Sequence, residues 1–243
     1  MTNPILTVDQ VLTTIAGAPS QQALQDYLLG MVFANAAARA ARNAAGPADK
    51  AQAFLSQWTN QLGSLGWVIT HAGTGQLMSG AGKQTATVAE RVESQAGSAS
   101  INAAFNALKT LASVSTGASA AVTGMFWEAA ADGGVMVGSV GQLSIGPDGP
   151  AFELATLTLQ LDKLEMLKKG LIGWKAEPFK ANSADALFAE VLAASIDLSV
   201  SHMSAVLQAE VFAAKRDELT EKVGEHVKDH CRAVPQNLVG SAG

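Results

Sequence analysis

The clearest pattern in the chain runs from residue 133 to residue 161, where apolar and polar positions alternate in two arms around Gly146-Pro147-Asp148-Gly149-Pro150. In the first arm Val135, Val137, Leu143 and Ile145 share one parity, with Met136, Gln142 and Ser144 on the other. That is the period of a strand with one face in a core. The separator supplies turn chemistry: glycine for positive φ, proline with φ preset, and an aspartate that can bond its own backbone. In the second arm Phe152 and Leu154 take one parity, while Leu157, Leu159 and Leu161 take the other. This change of phase predicts either a bulge near Ala155-Thr156 or a strand buried on both faces. A hairpin in a chain that otherwise leans to helix predicts an α+β (or α/β) fold, helix-rich, around a small sheet.

Upstream, residues 1–19 read as an extended leader ending at Gly17-Ala18-Pro19, ahead of a single domain over 20–234. Ser20 is placed to cap a helix running to Ala45, with Leu24, Tyr27, Leu28, Met31 and Asn35 at helical spacing. Arg39 and Arg42 sit near its C-terminal end, where the dipole favours cations, and Gly46-Pro47 stops it. Pro47 then opens a second helix with Phe54, Leu55, Trp58 and Leu62 on one face. Residues 66–71 form a short β-branched run, read as a strand or an extended link, and Gly73 to Gly82 as a flexible surface loop. Residues 85–96 fit helix and strand equally, Ser98 or Ser100 caps a helix carrying Ile101, Phe105 and Leu108, and 115–131 is small-residue-rich and helical. After Leu161 a short helix or turn leads to the Pro178 region. The longest helix is predicted from about Ser183 to Ala233, its weak point at Ser195–His202. Pro235 ends it and leaves 235–243 as a flexible tail.

Composition narrows the function classes. Hydrophobic content of 48% with 15% charged residues excludes global disorder in a chain of 243 residues. A formal charge of −5, without a basic stripe, argues against a nucleic-acid partner. The single cysteine, Cys231, excludes an internal disulfide. The start MTNPILTVDQ has neither a basic n-region nor an apolar h-region, so the expected location is cytoplasmic, or secreted without a standard signal peptide.

Candidate chemistry is sparse. Gly82-Lys83 resembles the end of a phosphate loop, but Leu77 stands where that loop needs glycine and Gln84 where it needs a hydroxyl for magnesium. The dinucleotide pattern begins at Gly73-Thr74-Gly75 and fails at Met78. His226 and His230, one helical turn apart, are weak metal candidates. Val227 occupies the place of a metalloprotease glutamate, and Cys231 would point about a hundred degrees away from His230 on a helix. Cys231 is a candidate lipidation site or reactive thiol, but a nucleophile needs a base, and nothing in the sequence sets His71 or His202 beside it. Gly117-Ala118-Ser119-Ala120-Ala121 lacks the final glycine of a nucleophile elbow. The expectation is a non-enzymatic protein with no cofactor and no catalytic residue; a cryptic enzyme is the third alternative.

The interval from Thr110 to Trp127 is uncharged and near the shortest length that spans a bilayer. Its serines and threonines favour a buried core helix, while small residues at Gly117, Ala121 and Gly124 allow close helix approach. A soluble pore-forming or membrane-inserting toxin component using the 110–147 region is therefore the second functional alternative, with conditional membrane contact.

One resemblance runs from about residue 50 to residue 232. Phe54-x-x-x-Trp58 and Gly66-Trp67 precede the hairpin, followed by Trp174-Lys175, Val206-Leu207, Lys215-Arg216 and Lys222-Val223-Gly224. In that order the chain resembles the accessory proteins encoded beside Mak-type α-pore-forming tripartite toxins, and related small bacterial virulence-associated proteins. The resemblance implies a non-enzymatic protein of a toxin or virulence locus, acting on a protein partner from that locus or on a lipid. It is also similar to a fatty-acylated virulence factor of plant-associated bacteria, which would make Cys231 the acylation site.

Overall fold

The computed structural model describes residues 5–17, 20–78, 117–132, 135–146, 149–161 and 196–234. The elements in chain order are β1 (Ile5–Val8), β2 (Val11–Ala16), α1 (Gln21–Ala44), α2 (Lys50–Ser64), β3 (Trp67–Met78), α3 (Gly117–Ala130), β4 (Ala131–Asp132), β5 (Val135–Gly146), β6 (Gly149–Leu161) and β7 (Ile196–Leu207). The C-terminal part adds α4 (Ala209–Ala213), α5 (Arg216–Val223), a 3₁₀ turn at Gly224–His226, α6 (Val227–His230) and β8 (Cys231–Val234). The strands form one eight-stranded sheet in the order β3-β7-β6-β5-β2-β1-β8, with β4 paired to β5. The β2–β5 pair is parallel and the others are antiparallel. The fold is α+β.

The hairpin forms as the alternation predicts. β5 and β6 pair without a register shift from Val135↔Gln160 to Gly146↔Gly149, and Gly149 leaves the turn at φ +109. No bulge interrupts the pair, and β6 is instead buried on both faces at its middle. Phe152, Leu154, Ala155 and Thr156 are all buried although they include both parities. The sequence of β7 changes parity at the same level: Met203, Ala205 and Leu207 share one parity, Ile196, Leu198 and Val200 the other, and Leu157 pairs with Val200.

Each face of the sheet has its own helical cover. Val11, Ile15, Leu143, Phe152 and Leu154 join Tyr27 and Met31 of α1 and Phe54, Trp58 and Leu62 of α2 in one cluster. On the opposite parity Leu12 and Val140 are register partners, both fully buried. There α3 seats Phe126 on Gly138, where a Cβ would lie 2.8 Å from the ring. At Gly141 a Cβ would collide with the Glu153 carbonyl and Leu154, so this central position accepts only glycine without a backbone shift.

α1 follows the sequence reading. Ser20 Oγ accepts from the Ala23 N–H, and burial recurs at Tyr27, Met31, Ala34, Ala38 and Arg42. α2 starts three residues later than Pro47, with Asp49 at its N-cap, because Gly46 to Asp49 closes a turn first.

Three expectations are corrected. The segment expected as a leader is part of the sheet: β1 and β2 are buried, and β1 pairs on its other side with β8. The glycine-rich stretch is strand as far as Met78, since β7 satisfies its backbone where the side chains have no period; Ser79 to Gly82 lie outside the described residues. The long C-terminal helix is strand over Ile196–Leu207 and then a chain of short helices. The expectations for 85–96, the helix at 98–112, the segment after Leu161 and the tail from residue 235 fall outside the described residues.

Candidate functional site

The site grows from a tight connection. Val8 and Val11 are register partners, so Asp9 and Gln10 alone join β1 to β2, and Asp9 takes φ 50. Asx side chains tolerate that left-handed region better than other non-glycine residues. Asp9 is held there by its own N–H donating to the His230 carbonyl at 2.9 Å, and by Thr7 Oγ1 donating to the Asp9 carbonyl at 2.9 Å. Its carboxylate is buried with two basic neighbours. His230 Nδ1 donates to Oδ1 at 2.8 Å, and Arg39 Nη1 of α1 lies 2.9 Å from Oδ2. The Arg39 contact is an ion pair without hydrogen-bond alignment, because Oδ2 has no aligned donor.

This cluster forms the floor of a cleft of about 620 Å³ between the β1–β2 turn, α3 and the C-terminal segment. α3 supplies one wall with Ala121, Gly124, Met125 and Ala129, and Glu128 beside them; Asp229, His230 and Arg232 supply the other. The α3 wall is fixed from behind: the buried Arg42 donates from Nη1 to the carbonyls of Ala129 and Ala130, capping the helix C-terminus, and its guanidinium stacks over Phe54. Nothing lies within 4 Å of a Cβ built on Gly124, which faces open space. Gly124→Ala is therefore expected to stabilise the protein by about 0.5–1 kcal/mol, from helix propensity alone, read as a rise in the thermal midpoint.

The opposite wall is clamped to α1. Arg216 makes a two-pronged bridge to the buried Asp26, Nε to Oδ1 and Nη2 to Oδ2, both at 2.8 Å, and Gln22 Nε2 also donates to Oδ1 at 2.8 Å. The hydrogen bond to Asp26 holds the Arg216 guanidinium above its ordinary range. Phe212 packs on α1 at Gly30, where a Cβ would stand 3.3 Å from its ring.

The sequence candidates lie in one short segment and take different roles. His230 is at the cleft, committed to Asp9, whereas His226 closes the exposed 3₁₀ turn. The two remain one helical turn apart, His226 at the N-cap of α6 and His230 at its last residue. Among the described residues no group of three or more His, Cys, Asp or Glu side chains could hold a metal ion. Cys231 opens β8, register partner of Val8. Burial, with Asp9 adding to it, pushes its thiol up to about 12. Alkylation by iodoacetamide at pH 8 should therefore run about a thousandfold slower in the native protein than in denaturant, as followed by intact mass.

Asp9, the floor of the cleft, was not among the sequence candidates. ILTV-DQ-VLTTIA is two β-branched runs around a two-residue connection, which is a hairpin signal.

Among the described residues no helix is long and apolar enough to cross a membrane. Within the 110–147 region, α3 covers Gly117–Ala130 and β5 lies inside the sheet; Thr110 to Thr116 are outside the described residues.

No family profile matches the chain, and no curated protein matches it. A solved structure to which it is similar is described as "Structure of the Evf virulence factor", with a TM-score of 0.34 and 13% sequence identity, over 92% of this chain and 82% of that one. At that level of similarity no residue of the cleft has a counterpart to argue from, so its function is read from its own chemistry.

Proposed function

We propose that the protein is a non-enzymatic binding protein of a toxin or virulence locus, which holds a protein or lipid partner stoichiometrically at the cleft between α3 and the C-terminal segment. The observation that supports this reading is how the polar groups of the cleft are used. Asp9 is ion-paired with Arg39 and hydrogen-bonded to His230, which spends Nδ1 on that contact. The neighbouring thiol is held protonated. A nucleophile needs a base within hydrogen-bond reach to take its proton, and among the described residues no side-chain hydrogen bond joins the half-buried Cys231 thiol to His230 or to any other base. In this reading the paired groups serve to position a partner. The association with a toxin locus comes from the sequence resemblance.

The test is capture with the intact chain: co-purification with the products of adjacent genes, and co-flotation with lipid vesicles. Saturable one-to-one capture by either route, weakened by Gly124→Leu in the cleft wall, is the expected result. Substrate turnover abolished by a single substitution would overturn the proposal, and vesicle leakage caused by the purified protein alone would favour the membrane-inserting alternative.

A further inference from the structure

Resting on that binding reading, the composition of the cleft narrows the class of ligand. Arg39 uses Nη1 on Asp9, and Arg232 uses Nη1 on the carbonyls of Lys228 and Cys231 at 2.7 and 2.8 Å. Nε and Nη2 of both guanidiniums are without a protein partner among the described residues. These are donors of the geometry that takes a carboxylate or phosphate. Acceptors are present as well. Asp229 lines the cleft without an ion-pair partner among the described residues. On the floor, Asp9 Oδ2 is buried and lacks an aligned donor although Arg39 lies against it. Arginines and carboxylates thus share one cleft, with the apolar Ala121, Gly124 and Met125 beside them.

A purely anionic ligand would meet Asp229 and Asp9, and a purely cationic one would meet Arg39 and Arg232. Like-charge contact disfavours both. We infer that the cleft takes a zwitterion, with an N–H-bearing ammonium on Asp229 and Asp9 and an anion on Arg39 and Arg232. Arg39 links the two poles: when its guanidinium turns toward the anion it uncovers Asp9 Oδ2 for the ammonium. The α3 wall receives the ligand's apolar part. Two sources carry this chemistry, a free amino acid and the phosphoethanolamine headgroup of a lipid.

The experiment is calorimetric titration of the full chain with phosphoethanolamine, phosphocholine, free leucine and inorganic phosphate. Phosphocholine is the decisive control, because its quaternary ammonium keeps the charge but has no N–H to donate. Phosphoethanolamine or leucine is expected to bind at least roughly tenfold more tightly than phosphocholine and inorganic phosphate, the size of one good charge-assisted hydrogen bond. Leucine alone would identify the amino-acid source, and phosphoethanolamine alone the headgroup. Arg232→Ala is expected to cost a further factor of roughly ten, and Gly124→Leu to abolish binding without lowering the thermal midpoint. Equal binding of phosphocholine and phosphoethanolamine, or binding that survives both variants, would overturn the inference. Silence from all four probes would also overturn it, and if vesicle or partner capture persisted the binding reading would stand alone.

Discussion

Leu143→Asp is expected to cost more than about 4 kcal/mol and leave little folded protein at ambient temperature, whereas Ser144→Asp should cost about 1 kcal/mol or less. Leu143 is fully buried at the centre of the sheet, paired with Ile15 on β2 and Phe152 on β6. A carboxylate there enters the apolar cluster, and the lost apolar contacts add to the cost. Ser144 is one residue away on the opposite parity, half-buried, with its hydroxyl bonded to the Ala151 carbonyl at 3.4 Å. Urea unfolding of the two variants separates the faces, and equal midpoints would refute the assignment.

The contrast between those neighbours also shows what the chain discloses by itself. Where a segment buries one face against one neighbour, its period is visible: the α1 stripe through Tyr27, Met31 and Asn35 and the alternation of β5 were both legible, whereas the burial of Arg42 was not. β7 was not, because its apolar positions change parity midway, as in β6, and the mixture imitates an alanine-rich helix. Only the β6 register, Leu154↔Met203 beside Leu157↔Val200, resolves the pattern into two alternating stretches end to end. β1 and β2 were hidden for a related reason. Their stability comes from β5 and β8, far away in sequence, and no local period announces that partnership. The cleft was less legible still, since Asp9, Arg39 and His230 come from a turn, a helix and the last short helix. Individually each looks like a solvated surface charge. His226 and His230 stand one helical turn apart, as their spacing implies, but His230 is engaged by Asp9 of the β1–β2 turn, a partner that spacing does not reveal.

Asn35→Ala is expected to destabilise the protein by about 3 kcal/mol and to loosen the floor of the cleft. Asn35 is fully buried on α1 and satisfies two groups at once. Its Nδ2 donates to the Val8 carbonyl at 3.0 Å, and its Oδ1 accepts from the Trp58 indole N–H at 2.9 Å. Truncation strands a buried donor on Trp58 and removes a partner from Val8, each costing about 1–3 kcal/mol, and leaves a small cavity. Trp58→Phe removes the donor instead of stranding it, so Asn35→Ala in that background should cost about 1 kcal/mol less than alone. Strict additivity of the two changes in urea unfolding would mean the bridge contributes nothing. The consequence reaches the cleft because Val8 immediately precedes Asp9, while Arg39 stands one turn beyond Asn35 on α1. The side chain that pins β1 to α1 therefore sets the spacing between the carboxylate and its guanidinium. Amide exchange over Val8–Val11 should accelerate in Asn35→Ala well beyond its global loss of stability, while the outer strand β3 should follow the global change only. Uniform acceleration across the sheet would place Asn35 in the core alone and remove it from the support of the site.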